Sequence, residues 1–148
     1  MKLKSLLFYL IFCCTGPILF TASGCSSEQE QAPPDHHNSR ISLDWPGTYH
    51  GTLPCADCSG LDTEITLMKD YTYIKKTVYI GKDETVFITE GSFEWTEAGN
   101  SIRLLGIPEG FGAPFFHVGE NRLFQLDLEG NRIHGALGDH YQLEKVDY

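Results

Sequence analysis

The stretch "LDTEITLMKDYTYIKKTVYI" (61–80) decides the fold. In its first seven residues Leu61, Thr63, Ile65 and Leu67 fall on one face, and Asp62, Glu64 and Thr66 on the other. A period of two is that of a half-buried strand, because successive side chains of extended backbone point to opposite faces. Residues 71–80 are dense in aromatic and β-branched side chains, which pack well on a pleated surface. Lys69-Asp70, a pair of turn formers, separates the two runs, so neighbouring strands are predicted.

Working outward, the same texture continues to the carboxy terminus. "TVFIT" (85–89), "GSFEWT" (91–96), "SIRLL" (101–105), "PFFHV" (114–118), "RLFQLDL" (122–128) and "HYQLEKV" (140–146) read as strands. Gly81-Lys82-Asp83, Gly99-Asn100, Gly119-Glu120-Asn121 and Glu129-Gly130-Asn131 punctuate them. No segment carries a sustained helical stripe. Residues 45–148 are enough for one core, and closing the sheet would remove the exposed edges of so small an all-β domain. The expectation is an all-β, small antiparallel up-and-down barrel. Tyr71, Tyr73, Tyr79, Phe87, Phe93, Trp95 and Phe124 are expected to fill its interior. "GIPEGFGAPFF" (106–116), the longest loop, is the expected lid or partner-contact element. The chain has no Gly-x-Ser-x-Gly, no His-Glu-x-x-His and no phosphate-binding glycine loop, so no enzymatic activity is expected.

The amino end has a different composition. Lys2 and Lys4 precede the apolar run "LLFYLIFCCTGPILF" (6–20), and "TASGC" (21–25) closes it with small residues. That is the layout of a secretory signal, which Gly16-Pro17 and a polar continuation distinguish from a spanning helix. "ASGC" (22–25) resembles the lipobox of bacterial lipoproteins. The resemblance implies removal of residues 1–24, acylation of Cys25 and, with Ser26 next, retention at the outer membrane on its periplasmic face. Several acyl chains anchor permanently where one binds only marginally. Residues 25–44, polar and carrying Pro33-Pro34, read as a flexible tether, in which His36 and His37 are solvated. Cleavage would leave nine basic against twenty acidic side chains, a charge of −11, so no nucleic acid partner is expected. The membrane partner is reached through the acyl anchor.

With Cys13 and Cys14 removed and Cys25 acylated, Cys55 and Cys58 in "LPCADCSG" (53–60) are the thiols left for chemistry, in an oxidising compartment. Three readings stand open. A disulfide would close a four-residue ring, a local turn lock of about 2 kcal/mol on chain-entropy grounds. A passive redox switch is the second, because the spacing suits dithiol chemistry although Asp57 opposes thiolate formation. The third is metal, with Cys55 and Cys58 as soft ligands to copper in the reduced state. A closed zinc site would need a second pair. His50 is the neighbouring candidate for a third ligand, weighed against a plain outward-facing strand residue. His134 and His140 lie at the two ends of a connection and are assigned no site.

"GTYHGTLPCADCSGLDTEITLMKDYTY" (47–73) and "NRLFQLDLEGNRIHGALGDHYQLEKV" (121–146) together resemble the amino-terminal domain of NlpE-type lipoproteins, over roughly residues 47–146. That resemblance implies a lipocalin-like barrel tethered at the outer membrane. It also implies a role in copper homeostasis, or in signalling envelope and surface-contact stress to a sensor kinase through the C-x-x-C pair. No cofactor is required on this reading, with copper the candidate. The best-known members carry a second, carboxy-terminal domain with its own cysteine pair. This sequence ends at Tyr148, which leaves open any signalling that depends on such a domain. The rival expectation is a lipocalin-like carrier of a small apolar ligand, with the cysteine turn as a local structural disulfide.

Overall fold

Eight strands run in chain order around a closed antiparallel barrel in the computed structural model, which describes residues 37–82 and 85–146. They are β1 (Gly47–Leu53), β2 (Gly60–Leu67), β3 (Thr72–Ile80), β4 (Val86–Trp95), β5 (Ser101–Leu104), β6 (Phe115–Gly119), β7 (Arg122–Gln125) and β8 (Gln142–Val146). Each pairs with the next, and β8 returns to β1 through Thr48↔Val146, Tyr49↔Lys145 and His50↔Glu144. The expected all-β up-and-down barrel is therefore the fold. The signal segment, Cys25 and the tether as far as His36 lie outside the described residues.

Alternation does most of the building. In β2, Leu61, Thr63, Ile65 and Leu67 turn inward as the sequence pattern requires, and in β3 Tyr73, Lys75 and Thr77 do the same. The buried interior joins Tyr49, Ile65, Leu67, Tyr73, Phe93, Ile102, Leu104, Phe116, Val118, Leu123 and Leu143 in one cluster. One end is plugged by aromatics. Trp45 stacks on Tyr71 at 5.9 Å and meets Phe93 and Trp95 edge-on at 5.7 and 5.6 Å. The stacking accompanies a left-handed backbone at Tyr71 (φ 65°) in the β2–β3 turn, where Thr72 is held by Asp70 Oδ1.

Several expectations are revised. "TVFIT" and "GSFEWT" form one strand, β4, which passes through Gly91 without interruption. β1 carries no clear alternation in the sequence, because its two glycines and a histidine dilute the pattern. Phe124 turns outward, where Arg132 lies 3.9 Å over its ring, and does not fill the barrel. Tyr49 and Phe116, absent from the expected set, are among the largest fully buried side chains. The end of the proposed tether is held to the barrel: a one-turn helix, α1 (Ser39–Ser42), bonds Ser39 Oγ to Val118 O at 2.7 Å and Arg40 N to Gly99 O at 3.0 Å.

Candidate functional site

The end of the barrel opposite the aromatic plug carries the cysteines. β1 and β2 pair as far as Leu53↔Leu61, and residues 54–59 cross between them as an exposed turn. Cys55 and Cys58 are joined in a disulfide with Cα atoms 5.4 Å apart. The turn is pinned to the neighbouring strand by Ser59 N donating to Ile80 O at 3.0 Å. Asp57, between the two cysteines in the chain, places Oδ1 3.6 Å from Cys55 Sγ. Its other oxygen accepts from Lys82 in the β3–β4 turn, and that hydrogen bond, then the lysine's charge, hold the Asp57 carboxyl below the ordinary carboxylate range.

This arrangement gathers one sulfur from each cysteine and one Asp57 oxygen within 4.8 Å of one another. Joined to each other, the sulfurs are not thiolate ligands; parted by reduction, they form a compact two-sulfur, one-oxygen donor set. His50 is not part of it. Its side chain faces outward from β1 and pairs with Asp62 at 2.7 Å, so the plain outward reading holds. His140 is the histidine that shares a surface depression of about 390 Å³ with Cys55, alongside Pro54 and Leu137. Neither His50 nor His134 is brought to the sulfurs among the described residues.

Beneath the turn the barrel interior is not filled. A cup of about 310 Å³ opens between the cysteine turn on one side and residues 110–112 of the long loop on the other. Its walls include Leu53, Leu61, Tyr79 and Phe111, and its deep face carries Thr63, Lys75, Thr77 and Gln125. Lys75 Nζ donates to Phe111 O at 3.0 Å, which ties the long loop to the barrel end. Burial pushes the Lys75 ammonium below its ordinary value. Sequence reasoning missed Lys75. The available signal was register: counting in twos from Tyr73 turns Lys75 inward, and leaves Lys76 outward to pair with Glu64 at 2.8 Å. A larger groove of about 490 Å³, lined by Ile107, Pro108, Pro114 and Leu128 among others, lies along the same long loop and shares Gly110 and Gly112 with the cup, but holds none of its charged groups.

Comparison with known proteins agrees with this architecture. The NlpE N-terminal domain family matches residues 49–136. Lipoprotein NlpE of Escherichia coli K12 is 30% identical over 128 residues, which cover 85% of this chain and 52% of that protein. The chain thus spans about half the length of the curated relative it matches. Among solved structures, a Shewanella oneidensis protein described as a lipoprotein aligns with a TM-score of 0.67 at 44% identity, over 74% of this chain and 95% of that one. The Cpx pathway activator NlpE of Escherichia coli aligns at 28% identity with a TM-score of 0.48, over 61% of this chain and 46% of that one.

Proposed function

The chain belongs to the NlpE N-terminal domain family, and from that membership we propose an envelope lipoprotein whose barrel reports copper or redox stress through Cys55 and Cys58. In this reading Cys25 carries the acyl anchor, the outer membrane holds the chain at its periplasmic face, and a protein partner such as a sensor kinase reads the barrel's state. The observation that carries it is the cysteine turn itself: two sulfurs and the Asp57 carboxylate within 4.8 Å, on an exposed loop at the barrel mouth.

The chemistry follows from the donor set. An envelope dithiol delivers two electrons and two protons to the disulfide and is itself oxidised, leaving thiols at Cys55 and Cys58. Cu(I) displaces the thiol protons and takes the two soft sulfurs, which suit it better than the hard oxygen of Asp57. Asp57, clamped by Lys82, then acts as a gate: its charge slows loss of the thiol protons but favours a bound cation. Because the turn lies on the surface, the change between joined and metal-bound sulfurs is presented to a partner without opening the core.

Reduced protein titrated with Cu(I) against a competing chelator tests this. The expected result is about one ion per chain, lost in Cys55→Ser/Cys58→Ser. Equal copper retention by the double variant, together with equal copper tolerance of cells carrying it, overturns the reading. The carrier alternative is favoured by one observation, the cup under the turn, but its polar deep face does not suit a wholly apolar ligand.

A further inference from the structure

We propose that the cup at the open end of the barrel binds a small organic anion with an apolar body, a medium-chain carboxylate, its head at Lys75 and its body against Leu53, Tyr79 and Phe111. This does not rest on the copper reading, since no part of it requires free thiols.

The argument begins with an unbalanced charge. Lys75 is only 7% exposed, yet its one hydrogen bond goes to the neutral Phe111 carbonyl. An ammonium has three donors, and among the described residues no carboxylate forms an ion pair with it. Buried charges are ordinarily paired, because removal from water penalises a lone one heavily. Asp57, the acid at the rim, is already matched to Lys82, so it neither neutralises Lys75 nor strongly repels an entering anion.

The surroundings are built to complete an anion's coordination. Thr77 and Gln125, 8% and 9% exposed, share the deep face with Lys75. Gln125 Nε2 reaches Ala113 O only at 3.5 Å, and Thr77 makes no side-chain hydrogen bond to a described residue. A carbon built on Gly112 would sit 3.4 Å from Gln125 Nε2 and 3.9 Å from Lys75 Nζ, so two donors flank one spot that the absent side chain leaves open. The walls above are aromatic and aliphatic, which a bare inorganic anion would not use. A cavity of about 310 Å³ is at the small end of ligand sites.

The test uses the soluble chain 26–148, since the Shewanella oneidensis relative crystallises as little more than this barrel. Calorimetric titrations compare sodium octanoate, octan-1-ol and sodium acetate. Octanoate is expected to bind at least about tenfold more tightly than either control, and Lys75→Met to erase that preference while octanol binding persists. Lys75→Gln, which keeps length and polarity, serves if the Met variant does not fold. The titrations are made on the oxidised chain with the Cys55–Cys58 bridge intact, so a failed copper experiment leaves this one standing. Equal affinity for octanoate and octanol, acetate binding as tight as octanoate, or an unchanged preference in a folded Lys75 variant overturns the proposal.

Discussion

Two buried residues set pH and stability effects that can be read singly. Tyr49 is fully buried on β1 and its hydroxyl donates to Trp45 O at 2.6 Å. Burial first, and the nearby charge of Asp44 second, push its phenol from 10.0 up to about 12. The folded state therefore keeps a proton that the unfolded chain releases. Its contribution is complete below pH 10 and lost as pH climbs from 10 towards 12, at most about 2–3 kcal/mol. Tyr49→Phe should remove that part of the alkaline loss, while costing about 1 kcal/mol at neutral pH for the orphaned Trp45 carbonyl. Urea midpoints at pH 7 and 11 check both; parallel pH curves for parent and variant would refute the assignment. Tyr73, also raised by burial, keeps a smaller alkaline sensitivity in either protein. Lys75 has the opposite sign. Its depressed value means that folding disfavours its charge, so it burdens the fold at neutral pH and the burden lifts as pH rises. Lys75→Met, similar in size and uncharged, should stabilise the barrel by about 1 kcal/mol at pH 7. A destabilised variant would mean that the bond to Phe111 O outweighs the buried charge.

At the scale of the element, β4 shows how one small residue shapes a strand. Its residues 86–92 pair with β3, but only Phe93–Trp95 pair with β5. Gly91 is where the sheet crowds: a side-chain carbon there would lie 2.7 Å from Leu105 O and 3.0 Å from Tyr73 Cε1. The same Leu105 carbonyl accepts the Tyr73 hydroxyl at 2.7 Å, so that bond depends on the gap glycine leaves. Gly91→Ala should cost about 2 kcal/mol through backbone displacement, and Gly91→Val more. Thermal unfolding measures the order, and a neutral Gly91→Val would show that the strands can part without penalty. The sequence reads this glycine as a break between two strands, because glycine punctuates turns far more often than it relieves a close approach. The composition there could not distinguish the two cases, since the neighbours that decide it are 14 and 18 residues away in the chain.

Across the whole molecule, what the sequence made legible was local and periodic. Alternation in β2 and β3 places Ile65, Leu67 and Tyr73 in the core, and the eight-residue stretch holding Cys55 and Cys58 marks the turn. Closure was harder to read. β8 meets β1 through three residue pairs separated by nearly the whole barrel, and the cup emerges only where the cysteine turn and the long loop face each other. These long-range arrangements leave no period in the chain. The same separation of scales governs the disulfide. A bridge spanning sequence separation 3 restrains little of the unfolded chain, about 2 kcal/mol at most, whereas removing a fully buried ring from the core costs about 3–5 kcal/mol. Cys55→Ser/Cys58→Ser should therefore unfold cooperatively with the parent's urea dependence and a midpoint lowered less than that of Phe116→Ala. Such a result fits a turn that changes oxidation state while the barrel beneath it stays closed. Loss of the cooperative transition in the double serine variant would instead make the bridge a structural requirement, and a redox or copper switch at that place would have to unfold the protein in order to operate.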